Sequence, residues 1–133
     1  MVHRRNVSSG SEFEATVGYS RAVRTGPFVA VAGTTAPGQS AVEQAREALR
    51  RIELALAEAG ASLSDVVRTR MFVTDISRWR EIGAVHAAVF GDIRPATTMV
   101  EVAALISPEL VVEIEVDAYV DASGENEPSG PGA

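Results

Sequence analysis

The sequence contains no cysteine. That excludes a disulfide framework, a thiolate zinc site and a cysteine nucleophile, and it fits a reducing compartment. Histidine is nearly as scarce: His3 and His86 are the only two, too few for a multi-histidine metal site. No apolar run approaches the ~20 residues needed to span a bilayer, and the polar start, Met1 to Ser11, has no apolar segment of the signal-peptide kind. A basic run is also missing. With a net charge of −6 the chain is a poor match for nucleic acid, whose binding rests on phosphate neutralisation. The expectation is a cytoplasmic protein with neither membrane nor nucleic acid as partner.

Other chemistries lack their parts. The loop Gly33-Thr34-Thr35-Ala36-Pro37-Gly38 has no Gly-Lys-Ser/Thr end and cannot be a phosphate loop. No Gly-x-Ser-x-Gly elbow occurs. What the chain does have is 133 residues, 46% of them hydrophobic, enough for one folded domain with a real core. From Ala122 onward Ser, Gly, Glu, Asn and Pro dominate, so the domain is read as residues 1–121 and residues 122–133 as a disordered tail.

Val17 to Val23 and Pro27 to Gly33 read as two strands joined by a tight turn at Thr25-Gly26. The apolar run Phe28 to Ala32 suggests a strand covered on both faces. A helix is expected from Ala41 to Ala59. Ser40 and Glu43 form a capping box, Val42, Ala45, Leu49, Ile52, Leu56 and Ala59 make one apolar stripe, and Gly60 closes it. Val66 to Val73 follows as a strand. Strand, helix, strand implies a crossover onto a parallel pair. A second helix runs from Arg78 to Phe90, capped by Asp75 or Ser77, with Trp79, Ile82, Val85, His86 and Val89 turned inward. Two strands complete the domain, Thr97 to Ala103 and Val111 to Val120. In the last, Val112, Ile114, Val116, Ala118 and Val120 alternate with Glu113, Glu115, Asp117 and Tyr119.

Two helices cover only one face of such a sheet. The other face carries Thr69, Met71 and Val73 or the opposite set, Arg68, Arg70 and Phe72. It either meets another subunit or stands as a half-polar exposed face. The charges left for chemistry lie on strands: Glu113, Arg21 and Arg70. Three acids on one strand face repel each other, so at least one needs a basic partner. His86 and Trp79 read as packing residues, and His3 as part of a loose terminus.

Several segments together resemble one family. They are Tyr19-Ser20-Arg21-Ala22-Val23, Val31-Ala32-Gly33-Thr34-Thr35-Ala36, Asp65-Val66-Val67-Arg68-Thr69, Phe72-Val73-Thr74-Asp75, Arg94-Pro95-Ala96-Thr97-Thr98-Met99-Val100-Glu101-Val102 and Glu113-Ile114-Glu115. In this order they resemble the RidA/YjgF/YER057c/UK114 family, also labelled endoribonuclease L-PSP, from about Gly18 to Val120. The resemblance implies an α/β (α+β), chorismate-mutase-like fold: a mixed sheet with two helices on one face, assembled as a homotrimeric barrel with ligand clefts between subunits. It also implies hydrolysis of reactive enamines and imines to keto acids and ammonia, without metal or cofactor.

Such chemistry needs a cation on the substrate carboxylate, a positioned water and fixed dipoles for the developing charge. Tyr19, Gly33 and Glu113 match the family's cleft positions, with Glu113 positioning the water. In deaminating members an arginine follows the Pro-Ala pair. Here that position is Thr97, which cannot supply a charged two-pronged clamp. The family's helix asparagine falls on Gly83 and its cysteine on Met99. Arg94 or Arg21 is the candidate replacement, with Arg70 a weaker one; each also suits an ordinary surface or interface ion pair. A ligand without a carboxylate would reconcile the cleft with the lost clamp. Two readings follow: a cofactor-free hydrolase or deaminase of imines or enamines, and a non-catalytic trimer that binds a metabolite. Ribonuclease activity ranks last, since the chain lacks a basic, aromatic surface.

Overall fold

The computed structural model describes residues 3–121. The stretch read as a disordered tail lies outside the described residues. A six-stranded mixed sheet carries two long helices on one face. The strands are β1 (Arg4–Val7), β2 (Ala22–Thr25), β3 (Phe28–Thr34), β4 (Val66–Val73), β5 (Ala96–Glu101) and β6 (Val112–Tyr119), in the order β1-β2-β3-β6-β4-β5. The helices are α1 (Glu12–Val17), α2 (Ala41–Glu58) and α3 (Trp79–Phe90).

The β6 alternation holds along its length: Val112, Ile114, Val116 and Ala118 are buried, whereas Glu113, Glu115 and Asp117 lie on the other, open face. On β4 the buried set is Thr69, Met71 and Val73, which puts Arg68, Arg70 and Phe72 on the open face. The core lies between this sheet and α2 with α3, around Ile52, Leu56, Ile82, Phe90, Ile114 and Val116.

Four expectations need correction. The first is the parallel pair. β3 and β4 run parallel, but β6 lies between them, antiparallel to both; the adjacent parallel pair is β4 with β5, joined through α3. A late strand with a fully apolar inner face took the central place. The second is the N-terminus. Residues 4–7 are not loose but pair with β2, and His3 accepts a backbone bond from Gly26. The third is the strand from Val17 to Val23, of which only the end survives. Ser11 caps a helix over Glu12–Val17, Gly18 ends it at φ 88°, and the strand starts at Ala22. The fourth is β3, covered on one face only within a chain: Phe28 is 41% exposed, while Val29 and Val31 are buried.

The hairpin between β2 and β3 turns through Gly26-Pro27, since Thr25 pairs with Phe28. Positive φ at Gly26 followed by proline is the pattern of a mirror-image type II′ turn, which matches strand twist. Ser40 caps α2 by accepting the Glu43 N–H at 3.2 Å, and the Glu43 carboxylate accepts the Gln39 N–H rather than that of Ser40. At the other end Gly60 takes φ 81°, and two arginines from the sheet meet the free carbonyls. Arg5 donates to Glu58 O at 2.7 Å; Arg24 donates to Ala59 O at 3.0 Å and Gly60 O at 3.2 Å. Cations at a helix C-terminus also oppose its dipole.

Among the described residues Gln44 is the one long polar side chain in the core, 2% exposed. Its amide donates to Gly38 O (3.2 Å) and Glu109 O (2.9 Å), and its carbonyl accepts the Val111 N–H (2.9 Å). It therefore ties the loop before α2 to the loop before β6. Gln44→Leu keeps the volume but strands these groups, and is expected to cost about 2–3 kcal/mol. Urea unfolding checks this; an unchanged midpoint would show that water replaces the amide. Among the described residues no helix is long and apolar enough to cross a membrane.

Candidate functional site

Between Val31 and Thr34 the pairing of β3 with β6 shifts register: Val31 faces Val116 and Thr34 faces Ile114, so Ala32 and Gly33 together oppose Glu115. Such a bulge frees and re-aims backbone groups. Arg21 uses them. Its Nη1 donates to Gly33 O at 3.0 Å, to Ala32 O at 3.3 Å and to the Thr34 hydroxyl at 2.8 Å. Its Nη2 donates to the Tyr19 hydroxyl at 3.4 Å, and the guanidinium lies 5.6 Å from the Tyr19 ring centre. Tyr19 directly follows the left-handed Gly18 that ends α1, and its N–H bonds Glu14 O at 3.0 Å, so the turn delivers the ring to this point. A groove of about 640 Å³ opens beside Tyr19, Arg21 and Thr34, walled by Phe13 and Leu54.

Glu113 completes this group. Its carboxylate lies against the α-carbon of Gly33: a Cβ built there would fall 2.9 Å from Cδ and still nearer Oε2. Gly33 has ordinary backbone torsions, so glycine is needed here for the close approach and not for its conformation. Burial holds the Glu113 carboxyl above its usual range, the neighbouring Glu115 adds to the effect, and Arg21 partly offsets it. Of the three acids on this face, Glu115 and Asp117 share Arg70, at 3.0 and 3.4 Å. Arg70 is thus committed to an ion pair.

Thr97 lies elsewhere. It pairs with Thr69 across β4 and β5 and shares the helix-covered face with it. Glu113 pairs with Phe72 on the open face. One chain therefore does not bring Thr97 and Glu113 together. The Thr97 hydroxyl is 2.8 Å from that of Thr69, 3.4 Å from His86 Nε2 and 3.1 Å from Pro95 O. Thr69 is fully buried and also meets His86 Nε2 at 2.9 Å. The His86 ring rests on Phe90, 4.7 Å between centres, and burial lowers its pKa.

Of the six candidate residues Tyr19, Arg21, Gly33, Arg94, Thr97 and Glu113, one chain brings together Tyr19, Arg21, Gly33 and Glu113. Arg94 does not join them. It is exposed, adopts φ 57° at the end of the turn that follows α3, and its Nε donates to Gly91 O at 3.2 Å. Gly83 faces open space. Trp79, expected inside, is 50% exposed with Arg80 stacked 4.6 Å from its ring centre; a 3-10 turn over Ile76–Arg78 precedes α3 and rotates its first residue outward. Three residues were missed. Thr34 looked like loop, Thr69 like part of one of two possible sheet faces, and His86 like packing. Strand pairing brings Thr69 to Thr97, and the packing of α3 on the sheet brings His86 to both. Among the described residues no group of three or more acids and histidines could hold a metal ion.

Comparison with known proteins agrees with this architecture. The family model described as Endoribonuclease L-PSP matches residues 9–120. A crystal structure of Rv2704 from Mycobacterium tuberculosis, a member of the YjgF/YER057c/UK114 family, superposes with a TM-score of 0.88 at 69% identity, over 89% of this chain and all (100%) of that one. The uncharacterised protein SCO2049 of Streptomyces coelicolor is 35% identical, over 86% of this chain and 91% of its own. The 3-aminoacrylate deaminase RutC of Acinetobacter baylyi is 36% identical over 80 residues, 60% of this chain and 63% of its own. A match of the family model to residues 9–120, which hold β2 to β6 and all three helices, together with the shared fold, makes this chain a member of the endoribonuclease L-PSP family, the RidA/YjgF/YER057c/UK114 proteins.

Proposed function

We propose that the protein binds a small metabolite in clefts between the subunits of a homotrimer and hydrolyses an imine or enamine there without metal or cofactor. The observation that carries this reading is Glu113: a carboxylate whose proton affinity is raised by burial, set against the glycine of a bulge whose carbonyls are already held by Arg21. A carboxyl tuned toward neutrality suits proton transfer in both directions. In the imine case, Glu113 accepts a proton from water as the oxygen adds to the C=N carbon and passes it to nitrogen. The second water proton then follows to nitrogen as the carbinolamine collapses, giving a carbonyl compound and ammonia.

Thr97 supports the placement between subunits. It is on the other sheet face from Glu113, so a ligand touching both takes one from each of two copies. Arg21 is a weak candidate for gripping a substrate carboxylate, because Ala32, Gly33, Thr34 and Tyr19 already engage it. Kinship with a protein named a deaminase supports the reaction class. A net charge of −6 favours a small molecule over RNA. The second reading, a binding trimer without chemistry, draws on Thr97 itself, which offers no charge to a carboxylate.

The test is hydrolysis of 2-iminopropanoate, generated in situ from an amino acid, by the parent, Thr97→Arg and Glu113→Ala proteins. We expect Thr97→Arg to exceed the parent by at least about tenfold, the value of one charged hydrogen bond, and Glu113→Ala in the Thr97→Arg background to lose about 10²-fold or more with its assembly unchanged. An inert Thr97→Arg protein, and no turnover of other imines by the parent, would leave binding alone.

A further inference from the structure

We propose that Thr97, Thr69 and His86 form a reversible hydroxyl relay that recognises an uncharged hydrogen-bonding group of the ligand, with His86 deciding whether the Thr97 hydroxyl donates or accepts. This inference rests on the reading of Thr97 as a cleft residue.

The buried Thr69 hydroxyl has one proton and stands between two partners, His86 Nε2 at 2.9 Å and the Thr97 hydroxyl at 2.8 Å. It donates to one and accepts from the other. With Nε2 unprotonated, Thr69 donates to His86, Thr97 donates to Thr69, and the lone pairs of Thr97 are left to accept from a ligand. With a proton on Nε2, His86 donates to Thr69 and Thr69 donates to Thr97. The Thr97 proton is then free of Thr69 and goes to Pro95 O at 3.1 Å, or to a ligand carbonyl. The exposed end of the chain thus changes character with a proton on His86 Nε2, 3.4 Å from the Thr97 hydroxyl and linked to it through the buried Thr69 hydroxyl.

The surroundings leave His86 to act as this control without a competing charge. On β4 the charged side chains, Arg68 and Arg70, lie on the opposite face. On β5, Glu101 lies at the far end, bonded to the Ile76 N–H. On α3, Arg80 stacks on Trp79 and Glu81 binds Arg78. At the end of α3, Arg94 holds Gly91 O. The buried face of α2 carries Gln44 but no charge. Burial alone lowers the His86 pKa and favours the neutral ring; with its one proton on Nδ1 that ring presents Nε2 as an acceptor, and a proton reaches Nε2 by tautomerisation or on acidification. A neutral relay has little to offer a carboxylate and suits an amide, hydroxyl or carbonyl, for which one well-aligned bond is worth up to about tenfold in affinity.

The probes are pyruvamide and pyruvate, which differ in charge at the same size. The protein is titrated with each while the His86 ring and Thr97 are followed by NMR between pH 5 and 8. Pyruvamide is expected to bind at least about tenfold more tightly than pyruvate, and its binding is expected to shift the His86 pKa, since coupling between two sites is reciprocal. Thr69→Val removes only a fully buried hydroxyl, yet is expected to weaken pyruvamide about as much as Thr97→Val does. His86→Gln keeps a partner for Thr69 but is expected to abolish the pH dependence. Equal binding of the two probes, no response of Thr97 and His86 to pyruvamide, or a His86 pKa that ignores bound pyruvamide would each overturn the proposal. The last of these needs no variant to fold. Failure of the hydrolysis assay with Thr97→Arg would count against the proposed reaction and leave these binding results standing.

Discussion

Gly33→Ala is expected to leave the protein folded, within about 1 kcal/mol of the parent, and to lower any Glu113-dependent turnover about 10²-fold. The three atoms nearest the added methyl all belong to one flexible side chain, that of Glu113. The fold can therefore accept it by turning that side chain aside. What is lost is the position of the group and the burial that tunes it. In the parent, the charged carboxylate is disfavoured by burial and by Glu115, so its folded pKa lies above the unfolded one. Its charged form thus weakens the fold at neutral pH, and that penalty is relieved as pH falls through the folded pKa. Turned out into water in Gly33→Ala, the carboxyl returns toward its ordinary range. The acid limb of the activity profile should then move to lower pH as the amplitude falls. Thermal unfolding together with the pH profile separates this from simple damage. A variant that unfolds early, or one that keeps full turnover, would remove Gly33 and Glu113 from the site.

Phe90→Ala is expected to cost about 3–5 kcal/mol in denaturant unfolding, the range for deleting a buried aromatic ring. Phe90 is 1% exposed and lies among the largest buried side chains. It also backs the His86 ring at 4.7 Å. Because burial is the cause of the lowered His86 pKa, opening a cavity beside it admits water and should raise that pKa toward the ordinary histidine value. The sign for stability follows. A histidine with a depressed folded pKa weakens the fold as pH drops through its unfolded pKa, and that acid sensitivity should be smaller in Phe90→Ala. A large loss of stability with the His86 titration unmoved would mean that Phe90 serves the core alone.

The strands and helices that were legible are those with strong periodicity and unambiguous ends. The α2 stripe closed by Ser40 and Gly60, and the β6 alternation, needed no partner to be read. α1 was not legible: Glu-Phe-Glu-Ala-Thr-Val is one and a half turns long, with no buried residue to mark a face. β1 was hidden for the opposite reason. Arg-Arg-Asn-Val has a single buried residue and becomes a strand only because the edge of β2 accepts it. Within the site, Tyr19, Arg21, Gly33 and Glu113 were legible as candidates. The role of Arg21 was not, because it depends on carbonyls released by a bulge that no spacing announces. The backbone of Arg94 was not legible either: it takes φ 57° in the turn after α3, where its N–H meets Phe90 O.

The sequence by itself determined the lack of thiol chemistry, the net negative charge, the two long helices and the inner face of β6, because composition and period act through the chain's own neighbours. It also determined that position 97 carries a hydroxyl and no charge. Only the tertiary structure decided that β6 separates β3 from β4, that Glu113 touches Gly33, and that Thr97, Thr69 and His86 share a hydrogen-bonded chain on the face away from Glu113. Each of these joins residues far apart in the chain. Which strand neighbours which is settled by the summed burial of whole faces, to which no local pattern has access.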